Sequence, residues 1–461
     1  VDISANDHNN ENEITSGDTT NDPSLNIIFT LADSHLASSM EGGFEANDIT
    51  VTNGSISAFN EVSTTEYTAT FTPSGDGPCE IKVEAGEFID MAGNSNTASN
   101  TFTWTYDSTR PTMTITSDTV SSGDTTNDAN IVMRFTSNED MTGFNKDDDI
   151  TLGNCSLGPL TDVSDKVKTA VLTPSGQGAC TVSVAENKFT DPVGNNNTAS
   201  NTFTWTFDSV APTVTIDVND ANDINIVGGV KHFNSSPITL KITSSENIVG
   251  LDVNGISITG PGGPTASDLS NLSVNNAVAT VDFTPPSDGE YTFNITSEKF
   301  TDEAGNNNAT SNTLSLKYDG TKPVITIGSV TTLGTNNRIN SQSIDISINL
   351  VEGDLSGNFD DPVEGLLESD FTFSSDCSLN GTLSVSGTSA TAQFVSTHDP
   401  ATNDGVCTIT LPANTFEDKA GNGNDEVSFT WTFDGSLPSA TLSSSTVNVV
   451  DGNNYYNGPI T

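Results

Sequence analysis

Short segments in which apolar and polar residues alternate run along the whole chain. Phe203–Phe207 reads Phe-Thr-Trp-Thr-Phe, and Met113 and Ile115 alternate with threonines in the same way. A two-residue period is typical of a β-strand that packs one face on a core. Turn-forming clusters such as Thr173-Pro174-Ser175-Gly176 separate these segments. About seven such strands per ~100 residues, without a convincing helical period, predict an all-β fold of sandwich domains.

One composite segment occurs four times along the chain, which is the signature of a repeat protein. It joins a Phe-x-Asp-x-x-Gly-Asn turn to an alternating strand and to an Asp that shortly precedes a Pro. The closing aspartates lie 101, 111 and 115 residues apart, at Asp107, Asp208, Asp319 and Asp434. These intervals have the length of whole domains. We therefore predict tandem domains at 1–107, 108–208, 209–319 and 320–434, and the start of a fifth at 435–461.

The charge of the chain excludes several kinds of partner. Among 461 residues, 61 are acidic and 14 are basic, giving a net charge of −47. This field repels nucleic acids and anionic membranes. No apolar run approaches the ~20 residues that a membrane helix needs, so membrane insertion is not expected. Low hydrophobicity with high charge can also indicate disorder, but the sustained alternation favours a folded chain.

The order of the motifs along the chain is shared with a known family. The segments 41–54 and 67–73, the turn at 88–94 and the linker 107–111 together resemble the bacterial Ig-like repeats of large surface adhesins. The resemblance implies tandem immunoglobulin-like β-sandwiches that form an elongated rod on an exported protein, in some members with calcium at the junctions. It therefore implies an extracellular, cell-surface location. The third repeat departs most from the pattern, since Leu316 replaces the tryptophan of the last strand.

Two functions from different classes fit such a chain. One is a non-enzymatic structural stalk or fibre, part of a longer surface adhesin or filament. The alternative is an adhesive module that itself recognises a glycan or a host protein. A binding module usually presents aromatic side chains in its loops, whereas Trp104, Trp205 and Trp431 lie on strands in core-like alternation. The pattern favours the stalk.

The expected partners follow from the incomplete repeats at the two ends of the sequence. The first strand and the tail each match part of a repeat, so we expect a window on a longer chain, with neighbouring repeats as partners. Copies of the chain in a filament are the rival interpretation, in which the odd first strand pairs with another subunit.

No catalytic constellation is evident in the sequence. The four histidines are scattered, and none neighbours a cysteine or a carboxylate cluster at zinc-ligand spacing. A Ser/His/Asp triad needs a positioned histidine, and there is no glycine-rich phosphate loop ahead of a helix. We therefore predict that the chain is not an enzyme.

The cysteines occupy two matching places in repeats two and four, and both places lose cysteine in repeat three. Such pairs predict disulfides that close loops of about 25 to 30 residues, each worth ~3 kcal/mol, in an oxidising compartment. In repeat one Cys79 faces Gly54 instead of a partner, so it is either a small buried hydrophobe or a cross-link to another chain. The predicted disulfides are Cys155–Cys180 and Cys377–Cys407.

Certain acidic residues recur at the same turns of each repeat. In a seven-stranded sandwich, the loops after the second and sixth strands lie at the end that meets the preceding domain. An acid in the first loop and an Asp-x-x-x-Asn turn in the second therefore converge with the linker Asp of the preceding repeat. Hard oxygen ligands without nitrogen or sulfur suit Ca²⁺ at six to eight coordination better than Mg²⁺, which keeps its waters. The predicted ligand sets are Asp107, Glu139, Asp191 and Asn195; Asp208, Glu246, Asp302 and Asn306; and Asp319, Glu352, Asp418 and Asn422.

A plainer interpretation of these acids is that they cap turns. Asp and Asn side chains commonly bond nearby backbone amides, and the glycine of the Asp-x-x-Gly-Asn turn suits a positive φ. Grouped like charges repel one another unless a cation joins them, which favours calcium. We therefore predict Ca²⁺ as the only cofactor and expect it to set the stiffness of the junctions.

Overall fold

The computed structural model describes residues 1–37, 42–351, 366–386, 388–398, 404–415, 417–441, 448–450 and 453–455. Ordered elements in these ranges are β-strands and single 3-10 turns, and none of the turns is long or apolar enough to span a bilayer. Glu352, one of the predicted calcium ligands, lies outside the described residues. The 3-10 turns are Ala46–Asp48, Ala221–Asp223, Val253–Gly255, Ala266–Asp268, Thr335–Asn337 and Glu368–Asp370.

The first repeat is built from two sheets. They have the strand orders β2-β1-β4-β7-β6 and β3-β9-β8-β5. Its strands are β1 (Asp2–Asn6), β2 (Glu13–Ile14), β3 (Thr19–Thr20), β4 (Leu25–Thr30), β5 (Ile49–Thr52), β6 (Gly54–Ser63), β7 (Glu66–Pro73), β8 (Gly77–Val83) and β9 (Phe102–Tyr106).

The second repeat has the same plan. Its sheets are β10-β12-β16-β14, with β15 also on β16, and β11-β18-β17-β13. The strands are β10 (Met113–Ser117), β11 (Thr125–Thr126), β12 (Ile131–Ser137), β13 (Ile150–Gly153), β14 (Cys155–Leu157), β15 (Thr161–Ser164), β16 (Val167–Pro174), β17 (Gly178–Val184) and β18 (Phe203–Phe207).

The third repeat consists of the sheets β19-β22-β25-β24 and β20-β21-β27-β26-β23. Its strands are β19 (Val214–Val218), β20 (Asn225–Val227), β21 (Val230–Phe233), β22 (Ile238–Ser244), β23 (Ile256–Thr259), β24 (Leu269–Asn275), β25 (Val278–Phe283), β26 (Gly289–Ile295) and β27 (Leu314–Tyr318).

The fourth repeat consists of β28-β30-β34-β32, with β33 on β34, and β29-β36-β35-β31, and a separate hairpin β37-β38 follows it. The strands are β28 (Val324–Ser329), β29 (Arg338–Ile339), β30 (Ser343–Val351), β31 (Thr372–Phe373), β32 (Cys377–Leu379), β33 (Ser384–Ser386), β34 (Ser389–Ser396), β35 (Gly405–Leu411), β36 (Val427–Phe433), β37 (Asn448–Val450) and β38 (Asn453–Tyr455).

Each repeat pairs one short strand in parallel with its last strand, while the other described pairings are antiparallel. In repeats one and two, β3 runs parallel to β9 and β11 runs parallel to β18. The chain divides into two compact units. The first unit consists of Val1–Val210 and Glu303–Asn306, and the second consists of Ala211–Asp302 and Asn307–Thr461. Repeats one and two therefore share one compact unit.

The cores lie between the paired sheets and contain the alternate residues of each strand. On β18, Phe203 and Trp205 are buried while Thr204 and Thr206 are partly exposed. Trp104 and Trp431 are buried at the matching places of repeats one and four. The all-β prediction and the core position of the tryptophans are thus confirmed.

The structure contains both predicted disulfides. The Cα atoms of Cys155 and Cys180 are 5.7 Å apart, and those of Cys377 and Cys407 are 5.5 Å apart. These separations lie within the normal range for a disulfide.

Repeat one has one cysteine at these two places, because Gly54 stands where repeats two and four have the first cysteine. Cys79 is free and buried. A Cβ atom added at Gly54 would lie 2.2 Å from Cζ of Phe71. The Phe71 ring therefore lies over Gly54. The matching strand position is Leu172 in repeat two and Phe394 in repeat four, so an aromatic ring at this position is compatible with the Cys377–Cys407 disulfide.

Candidate metal centre

Three carboxylates meet where the first two repeats join. Asp107 follows β9, Glu139 follows β12, and Asp191 lies in the turn between β17 and β18. Each offers one carboxylate oxygen, and these three oxygens all lie within 4.8 Å of one another. The linker and two loops of the next repeat therefore supply one compact set of hard ligands.

Backbone hydrogen bonds hold these segments in place. Thr142 N donates to Thr190 O at 2.7 Å and Thr190 N donates to Thr142 O at 3.1 Å, which fastens the loop of Glu139 to the turn of Asp191. On the linker, Asp107 N donates to Thr20 O at 3.1 Å. The positions of the three carboxylates are thus fixed by the backbone of both repeats.

Asp191 also caps its own turn, as the plainer interpretation expects. Its side chain is buried, and Oδ1 accepts the N–H groups of Val193, Gly194 and Asn195 at 2.9, 2.7 and 2.8 Å. Oδ2 accepts one bond, from Asn195 Nδ2 at 2.8 Å. Oδ2 therefore accepts fewer hydrogen bonds than Oδ1 and is the oxygen that could face a cation.

Glu139 differs from Asp191 in having a buried oxygen without a hydrogen-bond partner. Its Oε1 accepts a bond from Asn138 Nδ2 at 3.2 Å, whereas Oε2 is buried and has no hydrogen-bond partner. Burial raises the pKa of Glu139, and the negative charges of Asp107 and Asp191 raise it further against the opposing effect of Lys166. A buried carboxylate oxygen without a donor is costly unless a cation or a proton neutralises it.

The residues around Asp319, within the second unit, show related features. Burial raises the pKa of Asp319, and the charges of Asp418 and Asp288 raise it further. Asn422 Nδ2 donates to Asp319 O at 2.7 Å and to Asp418 Oδ2 at 2.9 Å. Asp418 Oδ1 accepts the N–H groups of Ala420 and Asn422, both at 2.9 Å. The fourth member of this predicted set, Glu352, is not described.

The middle predicted set is divided between the two units. Asp208 and Asn306 belong to the first unit, where Asn306 Nδ2 donates to Asp208 O at 2.9 Å. Glu246 and Asp302 belong to the second unit. A calcium site formed by these four residues therefore stays a prediction.

The sequence analysis missed the side chains that hold the start of the linkers, which are acids after repeats one and three and Gln177 after repeat two. Asp76 Oδ1 accepts bonds from Ser108 N and Ser108 Oγ, both at 2.7 Å, and Thr109 Oγ1 donates to Asp76 Oδ2. In repeat three, Asp288 accepts the N–H of Gly320 at 2.8 Å. The available signal was an Asp-Gly pair at the same place in repeats one, three and four, namely Asp76-Gly77, Asp288-Gly289 and Asp404-Gly405.

A second missed feature is that asparagine side chains hydrogen-bond the backbone within each sandwich. Asn197 is fully buried, and its Oδ1 accepts the N–H groups of Lys188 and Phe189 at 2.6 and 2.9 Å. Asn201 bonds both the N–H and the carbonyl of Ile115 on the first strand, at 2.7 and 2.9 Å. The richness in asparagine therefore reflects structure within each sandwich.

Comparison with known proteins identifies the first two repeats. Residues 18–106 and 107–207 each match the family described as bacterial Ig-like domain. These two matches lie in tandem, one directly after the other. No curated protein matches the sequence.

Several solved structures are similar to the chain at low identity. Invasin, a bacterial integrin-binding protein, is 15% identical with a TM-score of 0.35, covering 94% of this chain and 78% of invasin. InvD of Yersinia pseudotuberculosis is 14% identical with a TM-score of 0.29, covering 66% and 95%. Cadherin domains 3–6 of protocadherin gamma B2 are 10% identical with a TM-score of 0.31, covering 85% and 92%. Similarities this weak do not define a function.

Proposed function

We propose that the chain is a non-enzymatic extracellular stalk or fibre segment in which calcium stiffens the joints between Ig-like repeats. The observation that carries the proposal is the group formed by Asp107, Glu139 and Asp191, in which the buried Oε2 of Glu139 has no donor. Ca²⁺ takes six to eight oxygen ligands and accepts irregular geometry. The three carboxylates would hold the ion, and water or carbonyl groups would complete its shell.

The ion would act by joining segments that belong to different repeats. Asp107 is in the linker, whereas Glu139 and Asp191 belong to two loops of repeat two. Without a cation, three like charges within 4.8 Å repel one another. A bound Ca²⁺ would convert that repulsion into attraction and would fix the angle at this joint.

Other features support a stalk more than an adhesive module. Asp76 accepts hydrogen bonds from the first residues of the linker, and these bonds restrict the motion of the linker relative to repeat one. Trp104, Trp205 and Trp431 are buried and therefore unavailable to a ligand. Disulfides persist mainly in oxidising compartments, which supports an extracellular location.

The test measures the order of the first joint with and without calcium. Nitroxide labels at Val62 on β6 and Val163 on β15, which are 55% and 56% exposed, would report the distance between repeats one and two in the full chain with Cys79 replaced by Ser. We expect the distance distribution to narrow when Ca²⁺ replaces a chelator.

Two variants sharpen this test. Glu139→Gln keeps the shape and the bond from Asn138 but removes the charge, and it should abolish the narrowing. Asp118→Asn removes one exposed charge after β10 and should behave as the parent protein does. Equal distributions with Ca²⁺ and with chelator in the parent protein would contradict the proposal.

A further inference from the structure

A polar contact that involves no ion also connects the first two repeats. Asn21, which directly follows β3, places its side-chain Nδ2 3.2 Å from Asn195 Oδ1. Asn195 belongs to the turn that Asp191 caps in repeat two, and its own Nδ2 donates to the linker carbonyl of Asp107 at 2.9 Å. One carboxamide of repeat two therefore bonds both repeat one and the linker.

The orientation of the Asn195 amide is fixed by its neighbours. Its Nδ2 donates to two acceptors, Asp107 O at 2.9 Å and Asp191 Oδ2 at 2.8 Å. Rotating the amide by half a turn would place its oxygen against both acceptors, which is unfavourable. Oδ1 therefore faces Asn21, which must present a donor.

The glycine before Asn195 makes room for this contact. Gly194 has a φ of +101°, and a Cβ atom added there would lie 3.5 Å from Asn21 Nδ2. The matching glycine of repeat one, Gly93, has a φ of +86° and open space around its added Cβ. The turn requires glycine in both repeats, but only at Gly194 does an asparagine of another repeat lie against it.

The same arrangement recurs elsewhere in the chain. Within the first unit, Asn127 Nδ2 lies 3.2 Å from Asn306 Oδ1, and Asn127 N donates to Ala304 O at 3.1 Å. In the second unit, a Cβ atom added at Gly421 would lie 2.9 Å from Nδ2 of Asn225. Asn225 lies on β20, in a hairpin that repeats one and two lack, so different local structures place an asparagine amide on the same kind of turn.

We propose that Asn21 and the Gly194–Asn195 turn form a docking contact that orders the first joint without a metal ion. In this contact, the side-chain amide of an asparagine in one repeat binds a glycine–asparagine turn of the next Ig-like repeat. The consequence for stiffness rests on the proposed stalk function, but the contact itself requires no calcium. Chelation therefore leaves the joint partly ordered, and loss of Asn21 reduces the order that remains.

The test uses the Val62 and Val163 labels in the full chain in the presence of chelator. Asn21→Ala should at least double the width of the distance distribution, and Asn21→Asp should do the same because its carboxylate cannot donate to Asn195 Oδ1. Asn60→Ala, an exposed position on β6, is the matched control and should leave the width unchanged. Adding Ca²⁺ to Asn21→Ala should restore most of the order.

The outcomes separate this contact from the calcium proposal. If Asn21→Ala and the parent protein show equal widths in chelator, the docking contact is refuted whatever calcium does. If Asn21→Ala broadens the distribution while calcium has no effect on the parent protein, the contact stands and the calcium proposal fails.

Discussion

Removing the disulfide of repeat two should destabilise that repeat alone. The bond between Cys155 and Cys180 spans 25 residues, and constraining a loop of this length in the unfolded chain is worth about 3.5 kcal/mol. The double variant Cys155→Ala/Cys180→Ala also removes buried sulfur. Cys79→Ala in repeat one removes a buried sulfur without breaking a cross-link, so it serves as the matched control for packing.

Hydrogen exchange followed by mass spectrometry resolves the repeats within one chain. Under conditions where exchange reports opening free energies, the slowest amides of repeat two should exchange on the order of 300-fold faster, since about 1.4 kcal/mol corresponds to a factor of ten. Repeats three and four should be unchanged. The reasoning is refuted if repeat two loses no more protection than Cys79→Ala removes from repeat one.

Three further predictions concern single positions. Because burial and neighbouring charges raise the pKa of Glu139, its native carboxyl stays protonated to higher pH than in the unfolded chain. In thermal unfolding, the ion-free protein should therefore lose stability as pH rises from the ordinary glutamate range through the raised pKa. The calcium affinity measured by calorimetry should increase over the same pH interval. Glu139→Gln should remove both effects. Replacing the buried Trp205 by Ala should cost repeat two about 3–5 kcal/mol in hydrogen exchange, and a loss below ~1 kcal/mol would contradict the described core. Gly54→Cys should form a disulfide with Cys79, because the Cys377–Cys407 bond coexists with Phe394 at the place that Phe71 takes in repeat one. Non-reducing mass mapping detects this bond, and a free Cys79 in the variant would show that the Phe71 ring blocks the site.

The sequence was sufficient for the sandwich because burial alternates with the strand period. Phe203 and Trp205 face a core, and the same spacing recurs near the end of each repeat. Both disulfides could be predicted because the two cysteines of each pair are present together in repeats two and four and absent together from repeat three. The position of the Phe71 ring over Gly54 could not be predicted, because no local pattern encodes that overlap.

The candidate site was predictable only in part. Loop positions in a sandwich place Asp107, Glu139 and Asp191 at one end, and the structure brings these three together. The sequence could not decide between turn cap and ligand at Asp191, because one carboxylate can do both. The contact of Asn21 with Asn195 depends on how two domains meet, which local propensities do not specify.

The most direct test of the calcium proposal is a count of bound ions. Calorimetric titration of the full chain with CaCl₂ at neutral pH, with Asp118→Asn as charge control, should give one site fewer in Glu139→Gln than in the parent protein. Affinity in the range of extracellular modules, about 10⁻⁴ to 10⁻³ M, is sufficient. An unchanged number of sites in Glu139→Gln, or no binding by the parent protein at millimolar calcium, would show that the carboxylates at this joint only cap turns.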